Sequence, residues 1–386
     1  MSNSERINWP SWPLFGEEEY SAINRVIKSN QLYAGREVEK FEFMYAKYLS
    51  CDFALGIGNA TQGLHLALAA LDIGIGDEVI VTPYSWISSA SCILMQNAVP
   101  IFCDIEKESF GLDPQKIEKK ITKKTKAIIA VHMFGYPAKI VEIKAIAQKY
   151  GIALIEDASH AHGARVDGIP VGNFGEISVF SLHQRKSLSV GDGGIVCTNQ
   201  ERIYNKIKKL RSFGDDELSY NYRMTEFAGV LGQLGLSKLD QQNIIRRRNA
   251  NLLAKLLIDQ KNIKVHLGKE NEITVYYAIL IELTCTFIDL EARIKHLQSL
   301  GIPIRKTWTP LHQHPHFNPS IMPARGLPWK YPQYSGQMKD KVYSELDLPI
   351  VNEFCTNKLL EMYVHPPTGD AEINFAAKQI SLAFCS

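Results

Sequence analysis

The chain has 386 residues, of which 45% are hydrophobic and 22% are charged, a composition that is ordinary for a globular protein. This length is enough for a large core and a second, smaller domain. Because 43 basic and 41 acidic residues leave a net charge of only +2, the composition gives no electrostatic case for binding nucleic acid.

The sequence shows no pattern that would direct the chain to a membrane. The stretch MSNSERINWPSWPLFGEEEY has no apolar core of signal-peptide length, and no later run approaches a membrane span. The seven cysteines are widely spaced and form no CxxC pair; they stand at positions 51, 92, 103, 197, 285, 355 and 385. Such thiols are typical of a reducing compartment, so we expect a cytoplasmic protein with reduced cysteines.

From about residue 50 the sequence alternates between helical and extended patterns. The stretch ATQGLHLALAAL places Leu64, Ala67, Leu68 and Leu71 on one helical face, and AKIVEIKAIAQKY is a second amphipathic helix. Around them lie the strand-like segments DEVIVTP, VPIFCDI, TKAIIAVHM and IALIED, followed by EISVFSL and GGIVCTN. This alternation predicts an α/β fold with a mainly parallel sheet covered by helices on both faces.

Beyond residue 198 the pattern changes. YNKIKKLRSFG is helical, and a longer helical stretch from Met224 to Leu257 is expected to break near its glycines. Strand-like ITVYYAILIEL, helical LEARIKHLQSLG and an irregular proline-rich segment at 303–350 then predict a smaller α+β unit. We therefore predict a large domain over residues 1–245, with an N-terminal arm, and a small C-terminal domain over residues 246–386.

Three strand ends carry residues that suggest a site. In open α/β sheets, ligands lie at the carboxyl ends of the strands. Trp86 follows VIVTPYS, Asp157 closes IALIED, and the segment from Ser181 to Lys186 follows ISVF. We expect these residues to face one crevice.

The glycines near Lys186 do not form a nucleotide loop. A Walker loop needs its lysine after the glycines and directly before Ser or Thr, whereas Lys186 precedes GDGG. The dinucleotide fingerprint fails as well, because Ala60 and Thr61 follow GIGN where the third glycine should come. The helix that begins near Asn59 would instead hold one phosphate with its free N–H groups, or be capped by Asn59 or Thr61 alone.

Each remaining candidate also has an ordinary structural interpretation. Asp157 would meet a cation such as a protonated pyridine nitrogen, or cap the next turn. Trp86 would stack on a planar ring or pack in the core, His160 would contact a ring substituent or be a core histidine, and a lone lysine like Lys186 is usually solvated. Taken together, a lysine, a carboxylate, a ring stacker and a helix start for phosphate are what pyridoxal phosphate needs.

Seven motifs in order make the sequence resemble the DegT/DnrJ/StrS family of pyridoxal-phosphate-dependent sugar aminotransferases, which have the aspartate aminotransferase (type I) fold. The motifs are YAGREVEKFEFMYAKYL, GNATQGLHLALAALDIGIGDEVIVTPYSWISSA, VPIFCDIEKESFGLDP, TKAIIAVHMFGYPA, IEDASHAHGA, FSLHQRKSLSVGDGGIVCTN and YNYRMTEFAGVLGQLGLSKLD. The resemblance implies that Lys186 forms the Schiff base with pyridoxal 5′-phosphate and that Asp157 pairs with the pyridine nitrogen. Trp86 would stack on the ring, and His160 would lie beside the phenolic oxygen.

The resemblance also assigns the phosphate site. Thr61 and Gln62 at the helix start and the hydroxyl of Ser181 would bind the phosphate within one subunit. Asn221, with Arg223 as a less certain neighbour, matches a residue that family members supply to the phosphate of the partner subunit. A homodimer with shared active sites is therefore implied.

Lysine at position 186 favours transamination, because relatives that act as 3-dehydratases on nucleotide-linked ketosugars carry histidine there. Two positions depart from the family pattern without touching the core chemistry: Asp192 stands where Glu is usual and Leu182 where an aromatic residue is common. A pyridoxal-phosphate-dependent sugar dehydratase and a regulatory protein on the same fold stay as alternatives. The intact set of Lys186, Asp157 and Trp86 counts against the regulatory protein.

The resemblance implies glutamate or glutamine as donor and a keto sugar, most often nucleotide-linked, as acceptor. WPSWP (Trp9–Pro13) and TPLHQHPHF are more similar to glutamine-dependent cyclitol (inosose) aminotransferases and aminohydroxybenzoate synthases, so a cyclitol is the alternative acceptor. His312 and the RKTW segment that begins at Arg305 are candidates for acceptor contact. No metal is expected, because a proline interrupts the cluster of His312, His314 and His316 and no matching Cys/His set accompanies it.

Overall fold

The computed structural model describes residues 6–214, 218–317, 328, 332, 334–339 and 342–384. The strands are β1 (Phe53–Ile57), β2 (Glu78–Val81), β3 (Val99–Phe102), β4 (Thr125–Val131), β5 (Ala153–Asp157), β6 (Arg165–Val166), β7 (Ile169–Pro170), β8 (Ile177–Ser181), β9 (Gly194–Thr198), β10 (Ile263–Val265), β11 (Glu272–Ile273), β12 (Ile279–Leu283), β13 (Ile304–Lys306) and β14 (Leu359–Met362). The helices are α1 (Glu17–Ser29), α2 (Arg36–Leu49), α3 (Ala60–Ala70), α4 (Ser88–Met95), α5 (Pro114–Ile117), α6 (Ile140–Tyr150), α7 (Glu201–Arg211), α8 (Glu226–Leu256), α9 (Leu290–Ser299), α10 (Pro349–Glu353) and α11 (Asp370–Phe384).

A seven-stranded sheet in the order β1-β9-β8-β5-β4-β2-β3 forms the centre of the larger part. The neighbouring pairs from β8 to β3 are parallel, whereas β9 runs antiparallel to both β1 and β8. Every residue of β2, β3, β8 and β9 is buried, as in sheets that are covered on both faces. The predicted α/β class with a mainly parallel sheet is confirmed.

Helices pack on this sheet from the segments between its strands. Helix α6 contacts β4 and β5, and α3 contacts β8, β9 and the neighbouring helices α4 and α7. In α6 the apolar face predicted from the sequence buries Ile140, Ile143 and Ala147, while Tyr150 at its end is 42% exposed. Because β4, β5 and β8 pair in parallel, their carboxyl ends lie at one edge of the sheet, and this edge positions the site.

Helix α8 connects the larger part to the smaller one and runs without interruption over 31 residues. The expected break near its glycines is wrong. A Cβ on Gly229 would come within 2.8 Å of the backbone nitrogen of Val38, and one on Gly232 within 2.8 Å of the Phe41 ring. These glycines allow α8 to lie close to α2 rather than ending the helix. The predicted division between residues 245 and 246 falls inside α8 and stays a prediction.

The smaller part contains an antiparallel sheet in the order β10-β12-β14-β13. Helix α9 contacts β13 of this sheet, and α11 contacts α9 and α8. A third, three-stranded sheet pairs β11 with the β6–β7 hairpin of the larger part. The chain that leads into β12 therefore passes close to the end of β5.

In the described ranges, the structure contains no helix with the length and apolar character needed to cross a membrane. Six cysteines lie in these ranges, and each is a free thiol. Cys385 lies outside the described residues.

Candidate active site

A cavity of about 500 Å³ opens at the carboxyl ends of β4, β5 and β8, beside the start of α3. The smaller part closes its other side with Tyr277, Arg305 and Trp308. Seven of the candidates from the sequence line this cavity: Thr61, Trp86, Asp157, His160, Ser181, Lys186 and Arg305. Strand-end positions that are far apart in the sequence are thus brought to one crevice, as the sheet argument predicts.

Lys186 reaches the cavity from the loop after β8. Its side chain is half-buried, and Nζ lies 4.9 Å from the centroid of the Tyr277 ring. Burial lowers the pKa of Lys186 to about 7, although the carboxylate of Asp157 acts in the opposite direction. A substantial fraction of the amine is therefore neutral near neutral pH, and the neutral form is the nucleophile.

Asp157 is the last residue of β5 and only 5% exposed. Its Oδ2 accepts a hydrogen bond from the Ser89 hydroxyl at 2.6 Å, and its Oδ1 accepts one from the backbone N–H of Ser159 at 3.2 Å. Among the described residues it forms no ion pair. The turn-capping interpretation accounts for one oxygen, but a buried carboxylate without a cation is costly. The arrangement suits a positively charged ring nitrogen in the cavity.

His160 offers one unsatisfied donor at the cavity wall. Its Nδ1 accepts from the backbone N–H of Phe134 at 3.2 Å. Burial, followed by the nearby Lys186, lowers the pKa of His160 well below its ordinary value, so the ring is neutral and its proton lies on Nε2. In the described part of the chain, Nε2 is buried and has no hydrogen-bond partner. His160 is therefore not a satisfied core histidine.

Trp86 lies at the edge of the cavity and is 59% exposed. Its ring meets Trp308 edge-on, with centroids 5.7 Å apart and an interplanar angle of 73°. The core-packing interpretation is wrong for this residue. An exposed indole face beside a cavity is suited to stacking on a planar ligand.

The start of α3 contributes both polar side chains and backbone donors. The Asn59 side chain caps the helix by accepting from the backbone N–H of Gln62 at 3.0 Å. Ala60 and Thr61 line the cavity, and the Thr61 hydroxyl lies 2.7 Å from the hydroxyl of Ser88. Ser181, at the end of β8, lines the same cavity. The capping interpretation is correct for Asn59, and the first turn still provides an anion-binding end at the cavity.

Arg305 enters the cavity from β13, opposite Glu361 on β14. Its Nε donates to Glu361, and its terminal nitrogen donates to the hydroxyl of Tyr363 at 2.5 Å. Glu361 is fully buried, and burial raises the pKa of its carboxyl to about 7 while Arg305 acts against that rise. Arg305 is therefore held in place by Glu361, whose carboxyl group is partly protonated, and so only partly charged, near neutral pH.

Three candidates do not line the cavity of this chain. The side chain of Gln62 turns towards Gly58, with its Oε1 buried and unpartnered among the described residues. Asn221 is exposed and accepts a hydrogen bond from Arg223 at 3.0 Å. His312 is buried in a short 3₁₀ turn, with its ring 6.4 Å from that of Phe102.

Tyr277 is the residue that sequence reasoning missed. It stacks on His160 with centroids 4.4 Å apart, lies beside Lys186 and meets Tyr363 edge-on at 5.4 Å. The apolar pattern of ITVYYAILIEL predicts one strand, but β12 begins only at Ile279. The signal in the sequence was the adjacent pair Tyr276 and Tyr277. Neighbouring residues of a strand point to opposite faces, so two large aromatic residues in a row are a sign that the strand has not yet begun.

Comparisons with known proteins agree with this geometry. Residues 13–346 match the DegT/DnrJ/EryC1/StrS aminotransferase family. The chain is 31% identical to the GDP-perosamine synthase of Escherichia coli O157:H7 over 89% of this chain and 96% of that protein. It is 32% identical to the L-glutamine:2-deoxy-scyllo-inosose aminotransferase of Streptomyces kanamyceticus, over 81% of this chain and 80% of the relative. The structure of 3-amino-5-hydroxybenzoic acid synthase matches with a TM-score of 0.87 and 25% identity, covering 98% of this chain and 99% of that one.

Proposed function

Because the chain belongs to the DegT/DnrJ/EryC1/StrS aminotransferase family, we propose that it moves an amino group from glutamate or glutamine to a keto sugar, with pyridoxal 5′-phosphate as cofactor. The resemblance seen in the sequence is thereby confirmed, and so is the α/β fold of the type I aminotransferases. One observation carries the cofactor proposal: Lys186 lines the same cavity as Asp157, a buried carboxylate that forms no ion pair with any described residue.

The residues around the cavity fit pyridoxal phosphate at each of its functional groups. Asp157 would hold the protonated ring nitrogen, and the unpartnered Nε2–H of His160 would donate to the phenolic oxygen. Trp86 would stack on the ring, and the start of α3 at Thr61 would bind the phosphate. Lys186 would bind the aldehyde carbon.

When bound, pyridoxal phosphate supplies an aldehyde that takes up the donor's amino group and a ring that accepts electrons from the bond being broken. The chain supplies the proton transfer. With the cofactor and the donor bound, Lys186 would be the group that takes a proton from the donor's α-carbon, because burial lowers its pKa to about 7 and leaves a substantial fraction of the amine neutral. Asp157 would hold the ring nitrogen in its protonated form.

The acceptor and donor are proposed from the relatives and from Arg305. A keto sugar linked to a nucleotide, in aminosugar or surface-polysaccharide biosynthesis, is the leading proposal, since one similar protein is a GDP-perosamine synthase. A cyclitol is the second candidate, since another is an inosose aminotransferase. Arg305 would bind an anionic group in the cavity, either the phosphates of a nucleotide-linked acceptor or the carboxylate of the amino-acid donor. His312 lies away from the cavity and is supported only by its position in the TPLHQHPHF segment.

We also propose a homodimer in which Asn221 reaches the phosphate site of the partner subunit. The support is an exposed aromatic surface beside it. Tyr33 and Phe213 are 60% and 59% exposed, and the Arg223 guanidinium lies between them, 4.8 Å from the first ring and 5.1 Å from the second. Exposed aromatic groups of this kind are typical of interfaces. A cytoplasmic location is proposed on the free thiols of the described cysteines.

The test uses purified protein loaded with pyridoxal phosphate. Lys186→Ala should abolish turnover, and borohydride should no longer attach the cofactor to the chain, as peptide mapping at position 186 will show. Lys47→Ala, an exposed lysine on α2, is the matched control and should behave as wild type. A panel of nucleotide-linked keto sugars and cyclitols, assayed with glutamate and glutamine in turn, identifies the substrates. If Lys186→Ala transaminates at the wild-type rate, the proposed function is wrong.

A further inference from the structure

A buried arginine lies directly behind the active-site lysine. Arg246 on α8 is fully buried, and in the ranges that the structure describes it forms no ion pair. It donates from Nε to His365 Nδ1 at 3.1 Å, from Nη1 to Asn243 Oδ1 at 2.9 Å and from Nη2 to the carbonyl of Ser187 at 3.3 Å. A buried cation without a carboxylate is costly, so its position calls for an explanation beyond packing.

Trp12 of the N-terminal arm completes this group. Its indole Nε1 donates to the carbonyl of Lys186 at 2.9 Å, and its ring covers the Arg246 guanidinium at 4.9 Å. The same ring stacks on His365 at 5.1 Å, with an interplanar angle of 27°. The arm, helix α8 and the segment after β14 therefore meet at the backbone of the lysine.

These contacts fix three consecutive peptide groups around Lys186. The N–H of Lys186 donates to the carbonyl of His183 at 2.7 Å, its own carbonyl accepts from Trp12, and the next carbonyl, of Ser187, accepts from Arg246. With both flanking peptide planes held, the direction of the Cα–Cβ bond of Lys186 is set. Only rotations within the side chain remain to place its amine.

We propose that Trp12, Arg246 and His365 are positioning residues, the lysine clamp, which hold the main chain of Lys186 so that its amine meets the cofactor in one orientation. The catalytic role of the clamp rests on the proposed function, whereas its contacts are present in this chain without any cofactor. Trp12 comes from the far end of the sequence and His365 from the smaller part, so the clamp makes the orientation of Lys186 depend on elements outside the large sheet.

The arm offers a matched pair of variants for the test. Trp12→Phe keeps a ring over Arg246 and removes the indole N–H that donates to the backbone carbonyl of Lys186. Trp9→Phe alters a half-buried tryptophan of the same arm that packs on the core without a side-chain hydrogen bond to the described residues. Arg246→Lys keeps the charge and removes the guanidinium group that reaches His365, Asn243 and Ser187 together.

The first measurement is hydrogen–deuterium exchange of the protein without cofactor, which does not depend on the proposed function. In Trp12→Phe and Arg246→Lys, peptides covering residues 183–190 should exchange about tenfold faster, while Trp9→Phe matches wild type. The second is the pH titration of the visible absorption of the cofactor-loaded protein. Its midpoint should shift in Trp12→Phe, and kcat should fall about ten- to hundredfold with KM little changed.

Unchanged exchange in both clamp variants would overturn the clamp. Faster exchange with a wild-type titration and a wild-type kcat would also overturn it, because the contacts would then stabilise the loop without orienting the amine. Failure of the wild-type protein to take up pyridoxal phosphate would instead sink the proposed function, and the exchange measurement would still decide whether the backbone of Lys186 is held.

Discussion

At the scale of single residues, the chemistry of Lys186 comes from where its amine is buried. An exposed lysine is protonated at neutral pH and is no nucleophile, whereas burial lowers the pKa of Lys186 to about 7. We therefore expect a neutral arylating reagent to modify Lys186 of the cofactor-free protein with half-maximal rate near pH 7. Peptide mapping would follow Lys186 and the exposed Lys47 in one experiment. An alkaline midpoint for Lys186 would refute the effect of burial.

Glu361 gives a second residue-scale prediction, with a defined sign. Burial raises its pKa from 4.5 to about 7. Between those values the folded chain keeps a proton that the unfolded chain has lost, so this group makes the protein less stable as pH rises through the window. Glu361→Gln cannot titrate, and its melting temperature relative to wild type should therefore rise from about pH 5 to about pH 8.

The control for Glu361 is Glu282 on the adjacent strand β12. A hydrogen bond from His266 lowers the pKa of Glu282, although burial opposes this. Its stabilising effect is present above the ordinary glutamate pKa of 4.5 and is lost as pH falls below it, so the melting temperature of Glu282→Gln relative to wild type should stay level from about pH 5 to about pH 8. Parallel trends in the two variants would contradict the assignment.

The sequence predicts site residues that stand out in their local pattern, and it does not predict those whose role depends on neighbours in the fold. A carboxylate that closes an apolar strand, as Asp157 does, is unusual, and together with Lys186 and Trp86 at other strand ends it indicates a site. Tyr277 is one of 16 tyrosines, and only the fold places it between His160 and Lys186. The orphan donor on His160 likewise depends on Phe134, 26 residues away.

At the scale of elements, helices α2 and α8 hold each other by a cap and by close packing. Glu226, in the first turn of α8, accepts from the backbone N–H groups of Gly35, Glu37 and Val38 at the start of α2, at 2.8, 2.9 and 3.1 Å. No side chain of α2 caps that end. The carboxylate replaces a local cap and favourably opposes the positive end of the helix dipole.

Alanine substitutions at two glycines of α8, one packed closely on α2 and one not, test this packing. A Cβ at Gly229 would lie 2.8 and 2.9 Å from backbone atoms of Val38 and Glu37, which cannot move without disturbing the cap. Gly229→Ala should therefore lower the free energy of unfolding by about 1–3 kcal/mol. At Gly235 the nearest atom is Leu188 Cγ at 3.4 Å, an ordinary contact. Gly235→Ala should raise stability by up to about 1 kcal/mol through helix propensity, as urea titration would measure.

The same glycines show where element prediction fails. Apolar runs were enough to locate six of the seven strands of the large sheet, because each run is local to its element, whereas β1 was not predicted. Taken alone, Gly229 and Gly232 predict a break in the helix. In the structure they allow close packing against α2, which lies nearly 200 positions earlier in the sequence. Packing across such a separation leaves no local signal.

At the scale of the whole molecule, the proposed phosphate site would be shared between two subunits. Thr61 and Ser181 line the cavity, whereas Asn221 lies on the surface beside the exposed rings of Tyr33 and Phe213. A two-fold axis that buries this surface would bring each Asn221 to the other subunit. The family resemblance predicted this exchange, and no single chain can display it.

Mixing two inactive variants tests the exchange. In a dimer of one Lys186→Ala subunit and one Asn221→Asp subunit, one site carries both defects and the other carries none. Random pairing of equal amounts should therefore restore about a quarter of the wild-type specific activity. Lys186→Ala mixed with Asp157→Asn is the control, since both residues serve the cavity of their own chain and neither site becomes intact. Activity no higher than that control would place Asn221 outside the partner's site, because rescue requires that the two altered residues serve different cavities.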